Sequence, residues 1–213
     1  MDKLTSFTRE ELACPKCGKV HLCERYSIIN VTEKPELKDR VLQNKLFVFH
    51  CEGCGFTAPL TYESVYIDSK KKLVLYLTPE MTDNTRQSIK AWEQEEAGLK
   101  RIVTNLNDLK EKILIAENLL DDRIVEFMKI EHLRQLEKEM KDDNLLNILF
   151  DYKGTQYYFM VFFEKKGIGR IPVSMDYYRD VEHRFSGKIG RKHNKKFQEI
   201  DMKWAGDIMF QRN

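Results

Sequence analysis

The sequence predicts an α+β fold, and three observations predict it. Two cysteine pairs, Cys14-Pro15-Lys16-Cys17 and Cys51-Glu52-Gly53-Cys54, lie among β-favouring residues in the first 80 positions. Apolar residues then recur at three- and four-residue steps from Leu106 to Met140, the period of amphipathic helices. Beyond position 145, two β-rich runs flank Lys153-Gly154-Thr155, which reads as a hairpin turn. The expected organisation is an N-terminal antiparallel sheet over 1–80, a helical middle over 81–144, and a C-terminal β-rich portion with a terminal helix over 145–213. The first and last of these can share one core.

Taken in order, Val20 to Val31 is rich in β-formers and predicts a strand or long bent hairpin arm. Pro35 at a first-turn position, Glu36 beside it, and Leu37, Val41 and Leu42 at helical spacing predict a short helix closed by Asn44. Leu46-Phe47-Val48-Phe49-His50 is a strand delivering the chain to Cys51, and Thr57 to Val65 and Lys72 to Leu77 are two more. Thr78-Pro79-Glu80 ends this module, because proline interrupts a strand. Asn84 to Ala97 is a helix anchored by Ile89 and Trp92, and Ile102-Val103-Thr104 is a short β segment. Leu106, Leu109, Ile113, Ala116 and Leu120 form one helical stripe. Asp121 or Asp122 caps a second helix, striped by Val125, Met128, His132, Leu136 and Met140, which makes a helical hairpin. Leu145 to Tyr152 and Gln156 to Glu164 form the C-terminal hairpin, with a shorter third strand near Gly167 to Val173. A helix capped by Ser174 or Asp176 runs through Phe185, and Ile200 to Phe210 is the final helix, carrying Trp204.

Composition bounds the function. A chain of 213 residues with 42% hydrophobic and 33% charged content can bury a core of its own. No apolar run reaches membrane-spanning length, and the start Met1-Asp2-Lys3-Leu4 lacks a signal-peptide core, so the expected compartment is the cytoplasm. Five cysteines, an odd number, argue against a secreted disulfide framework. The net charge of +2 directs the chain to no acidic partner, although residues 145–213 carry a positive excess.

Two residues between cysteines let the chain fold into a knuckle with both sulfurs facing one point, and Gly18 and Gly55 tolerate the conformation that closes it. Two knuckles supply a tetrahedron. Cys14, Cys17, Cys51 and Cys54 therefore read as the ligands of one structural zinc ion in a zinc-ribbon-like module, with iron or a redox dithiol pair as the alternatives that soft sulfur permits. A closed four-thiolate shell leaves no position for a reactive water. His21 and His50 stand close enough in sequence to replace a thiolate or to donate to one, although four cysteines suffice without them. Cys23 reads as a small core residue.

The segment Cys14-Pro15-Lys16-Cys17, the second cysteine pair, Ile29-Asn30-Val31-Thr32 and Pro35-Glu36-Leu37-Lys38 resemble the CpXC domain family. Leu109-Lys110-Glu111-Lys112-Ile113 and Leu120-Asp121-Asp122-Arg123 are similar to the downstream block of such proteins, so the resemblance covers roughly residues 10 to 130. It departs at Glu52, where the second pair usually has proline; no ligand is lost. The resemblance implies a metal-binding bacterial or archaeal protein with no assigned activity.

Other candidates weigh less. Glu117, Asp121, Asp122 and Glu126 make an acidic cluster, but they straddle a helix junction where capping explains the aspartates. His132 lies on an apolar stripe and reads as a core histidine. No phosphate loop, nucleophile elbow or His-Glu-x-x-His segment is present, so the sequence offers no catalytic residues. Tyr152, Tyr157, Tyr158, Phe159, Phe162 and Phe163 crowd the C-terminal hairpin, where alternation predicts a central strand buried on both faces, with base stacking as the sharper alternative. The basic run containing Lys188, Arg191, Lys192, Lys195 and Lys196 has the charge for phosphate contacts. The expectation is a non-catalytic, zinc-containing interaction or adaptor protein with a protein partner. Nucleic-acid binding through the basic C-terminal third is the runner-up and an enzyme is third.

Overall fold

The computed structural model describes residues 3–94, 98–139, 142–190 and 196–210. It is a mixed α+β protein, as the sequence predicts, and its chain divides into two compact units. One comprises residues 1–110 with 193–197, and the other residues 111–192 with 198–213.

In the first unit, β1 (Ser6–Ala13) and β2 (Val20–Asn30) form an antiparallel hairpin, followed by the short helix α1 (Glu36–Leu42). Pro35 stands at the N-cap of α1, and Leu37 and Val41 are its buried residues. A second, small hairpin follows, β3 (Val48–His50) with β4 (Thr57–Pro59). The strands β5 (Ser64–Asp68), β6 (Leu73–Leu77) and β7 (Leu99–Val103) extend the main sheet in the order β1-β2-β5-β6-β7. The β1–β2 and β5–β6 pairs are antiparallel, and the β2–β5 and β6–β7 pairs are parallel. All residues of β5 and β6 are buried; β6 is a continuous apolar run, and β5 is apolar or aromatic from Val65 to Ile67 between Ser64 and Asp68. The helix α2 (Asp83–Glu93) starts at Thr82, whose side chain accepts from the Thr85 N–H. It packs Ile89 against Val65, Ile67, Val74, Tyr76 and Phe197. The Lys100 ammonium, buried in β7, donates to the Glu93 carbonyl at 2.7 Å, closing the C-terminal end of α2 with a cation.

The helix α3 (Leu106–Glu117) contains the division between the units. In the second unit, α4 (Asp122–Glu139) lies in a core with the antiparallel sheet β8 (Leu145–Lys153), β9 (Gln156–Phe163) and β10 (Gly167–Val173), ordered β10-β9-β8. The helices α5 (Met175–Phe185) and α6 (Met202–Phe210) complete that core, and the two-residue strand β11 (Gln198–Glu199) precedes α6. Ser174 caps α5 by accepting from the Tyr177 N–H. Phe127 sits at the centre, stacked on Phe185 with ring centroids 4.3 Å apart and beside Trp204 at 5.5 Å. Only one face of β9 is fully covered: Phe159, Val161 and Phe163 are buried, whereas Tyr158, Met160 and Phe162 are half-buried. The alternation that reads as two buried faces is produced by a one-sided sheet.

A group of charged residues is buried with that core. Lys112 lies 2.8 Å from Glu126 and 3.5 Å from Asp122, and Lys129 lies 2.6 Å from Glu111 and 3.2 Å from Glu126. Burial opposes charge on both lysines, but carboxylates outweigh it: Glu126, Asp122 and Glu111 at Lys112, and Glu111 and Glu126 at Lys129. Both ammonium groups are pushed above the ordinary lysine range.

Candidate metal centre

Each cysteine pair occupies the turn of one of the two small hairpins. In the first, Ala13 stands opposite Val20, so residues 14–19 form the turn. In the second, His50 stands opposite Thr57, so residues 51–56 form a turn of the same length. The hydrogen bonds correspond one for one. Cys14 N donates to Lys19 O at 2.9 Å and Gly18 N to Cys14 O at 2.8 Å. Cys51 N donates to Phe56 O and Gly55 N to Cys51 O, both at 2.8 Å. Gly18 and Gly55 have φ of +74° and +70°, a left-handed conformation that costs a side-chain-bearing residue about 1–2 kcal/mol. The glycine after each pair thus has the conformational role that its position suggests.

The turns bring all four sulfurs within 4.8 Å of one another. Cys14 Sγ lies 3.7 Å from Cys54 Sγ, and Cys17 Sγ lies 3.6 Å from Cys51 Sγ. A metal at the usual thiolate distance of about 2.3 Å in a tetrahedron requires sulfur separations of ~3.8 Å, so the donor set fits one ion. Cys14 and Cys51 are buried against Phe49, with Leu12, Phe56 and Leu60 around them, whereas Cys17 is exposed and Cys54 half-buried.

The electrostatics of the cluster favour a cation. Burial opposes ionisation of Cys14, but the N–H groups of Cys17 and Lys16 and the neighbouring sulfurs of Cys51 and Cys54 bring its pKa down to about 7. The Phe56 N–H favours ionisation of Cys54, but burial and the sulfurs of Cys17, Cys51 and Cys14 raise its pKa to about 12. Hydrogen bonding among the sulfurs thus favours ionisation of Cys14 and opposes it at Cys54, and a divalent ion at the centre would favour the thiolate form of all four.

The two histidines beside the cysteines separate in role. His21 Nε2 lies 3.2 Å from Cys51 Sγ, with its ring edge-on to Phe49 at 5.6 Å, so it serves as a hydrogen-bond partner of a sulfur. His50 turns to Thr57 instead, its Nδ1 2.9 Å from the hydroxyl, and pairs the strands of the second hairpin. Cys23 packs in the same apolar cluster outside the four-sulfur group, and burial pushes its thiol pKa up.

The remaining candidates do not converge. Asp121 is held by Arg123 at 2.8 Å, and Asp122 and Glu126 by Lys112, so these carboxylates are engaged in ion pairs. His132 is half-buried between Phe159 and Tyr177, its Nδ1 2.9 Å from the Met128 carbonyl. Lys188 and Lys196 are exposed, while Arg191, Lys192 and Lys195 lie outside the described residues. The Lys129–Glu111 pair escapes sequence reading; its only local signal is Lys129 three residues after Glu126, on a helix whose first nine residues are all buried.

The family model described as CpXC protein matches residues 12–129, which include all four cysteines. No curated protein and no solved structure matches the chain. The match spans more than half of the chain and contains both knuckles whole, and with it the chain belongs to the CpXC protein family.

Proposed function

We propose that Cys14, Cys17, Cys51 and Cys54 bind one zinc ion as thiolates, and that the protein is a non-catalytic interaction or adaptor protein recognising a protein partner. The observation that carries the metal reading is the pair of sulfur separations, 3.6 and 3.7 Å, close to the ~3.8 Å edge of a zinc–thiolate tetrahedron. The ion supplies a rigid cross-link between two hairpins, and four thiolates leave no position at which water would be activated. The cysteines hold the hairpins, His21 orients a ligand sulfur, and the glycines close the turns.

The absence of a catalytic role is supported by the chemistry of the other candidates, since the buried carboxylates of α3 and α4 are matched by lysines. A protein partner is favoured over nucleic acid because the chain's net charge of +2 gives little electrostatic drive toward phosphates. No described helix is long and apolar enough to cross a membrane, and thiolate ligands suit the reducing cytoplasm. The test is elemental analysis of protein purified under reducing conditions. About one zinc per chain, lost in Cys51→Ser, supports the reading. Stoichiometric iron, or a metal-free chain that Cys51→Ser leaves equally stable, overturns it.

A further inference from the structure

β2 is paired on only one of its edges for most of its length. It pairs with β1 from Val20 to Ile28, but with β5 only through Ile28, Ile29 and Asn30. In an antiparallel ladder every second residue turns its N–H and C=O away from the partner strand. Two hydrogen bonds fix which residues these are. Cys14 N donates to Lys19 O, so Lys19 and, by the period of two, His21, Cys23 and Arg25 face β1. Tyr26 N is donated outward, to the Tyr62 hydroxyl at 3.2 Å, so Val20, Leu22 and Glu24 face outward too.

That open edge borders a groove of about 530 Å³, whose lining includes the consecutive residues from Lys19 to Glu24. Consecutive strand residues line one groove only through their backbone edge, because their side chains alternate between faces. The opposite wall is made of alternate residues, Leu46, Val48, His50 and Glu52, which is one side of β3 and of the second knuckle. Natural sheets protect open edges with charge or proline, but here Val20 and Leu22 are 54% and 63% exposed. The groove is also positively biased. Lys19, Arg40 and Lys45 line it, and among the described residues no carboxylate pairs with Lys19 or Lys45. Of its two acids, Glu24 is already engaged by Arg9 at 3.5 Å and by the Tyr26 hydroxyl at 2.9 Å.

We propose that this groove captures an extended acidic segment of a protein partner, which adds as a strand to the outward edge of β2 at Val20, Leu22 and Glu24, with its carboxylates met by Lys19 and Lys45. Main-chain hydrogen bonds supply the docking and the lysines supply the sign of charge. Lys19 follows the first knuckle directly and Glu52 lies within the second, so the metal clasp holds both walls. The inference rests on the adaptor reading and names its surface and its partner class.

The experiment uses the full chain with its metal content measured. Fluorescence anisotropy follows a labelled ten-residue peptide of alternating Glu and Val, with a Lys–Val peptide and a ten-nucleotide single-stranded DNA as competitors for the same groove. The acidic peptide is expected to bind, and Lys19→Glu/Lys45→Glu to weaken it by about tenfold or more. Leu22→Pro removes an outward N–H without touching the ladder to β1, and is expected to weaken binding beyond Leu22→Ala, with circular dichroism checking that both variants fold. Absence of acidic-peptide binding by zinc-loaded protein, or binding that the double reversal leaves unchanged, overturns the groove while leaving the zinc reading intact. DNA binding lost in the same double reversal, without peptide binding, assigns the groove to nucleic acid and also overturns it. Peptide binding by a chain that holds no zinc supports the groove and overturns the metal reading instead.

Discussion

Replacing Lys129 by methionine isolates the contribution of the buried charges in the second unit. Lys129 is 3% exposed, and its ammonium lies 2.6 Å from Glu111 and 3.2 Å from Glu126. Methionine fills much of the same space but takes the ammonium partner from Glu111, leaving it the Phe150 N–H among the described residues, and takes from Glu126 one of its two lysines. Removing one partner of a buried pair strands a charge in a poor solvent for it, at a cost of about 3–5 kcal/mol. Burial already pushes the Glu111 carboxyl up against the pull of Lys129, and losing Lys129 raises it further. A folded-state carboxyl raised above its unfolded value binds protons preferentially in the native state, so stability falls as pH rises through that window. The loss is therefore largest near neutrality and shrinks toward pH 5. The assay is urea unfolding read by Trp204, which packs on Phe127 in this core, in a Trp92→Phe background that leaves it the one tryptophan. Glu111→Gln combined with Lys129→Met removes both charges, keeps an acceptor for the Phe150 N–H, and should recover much of the loss. A Lys129→Met penalty below about 1 kcal/mol at pH 7, or one that grows on acidification, refutes the reasoning.

Two further predictions concern the knuckles. His21→Phe keeps the ring contact with Phe49 but removes the hydrogen bond to Cys51 Sγ, so metal affinity should fall about 10–100-fold in competition with a chromophoric chelator; unchanged affinity would show that the contact tunes nothing. Gly55→Ala should lower stability by about 1–2 kcal/mol from backbone strain alone, since nothing lies within 4 Å of the added Cβ. A neutral result in thermal unfolding would mean that the turn relaxes at no cost.

The four-sulfur cluster was legible because its information is local: spacing, thiols and a following glycine sit within five residues of chain in each knuckle. β1 was not, because Ser6–Ala13 is an exposed edge strand carrying Arg9, Glu10 and Glu11, and a strand with little burial shows little alternation. Thr57 to Val65 reads as one β run but divides into β4 and β5, which belong to different sheets. Between them Tyr62 turns inward to reach Tyr26 N, a contact 36 residues distant in sequence. Lys112 and Lys129 look like solvated helix positions, and only the packing of α3, α4 and β8 brings Glu126 to Lys112, Glu111 to Lys129 and the Phe150 N–H to Glu111. The alternation in β9 does identify its two faces, but from Tyr157 to Phe163 the residues on both are apolar or aromatic, and composition does not tell a covered face from an open one.

The central claim is a closed shell of four cysteine sulfurs, and X-ray absorption at the zinc edge of the purified full chain tests it most directly. The account predicts four zinc–sulfur distances near 2.3 Å and no nitrogen or oxygen in the coordination shell. A fitted shell containing an imidazole from His21, or an oxygen from water, would contradict it and would reopen the centre as a reactive site.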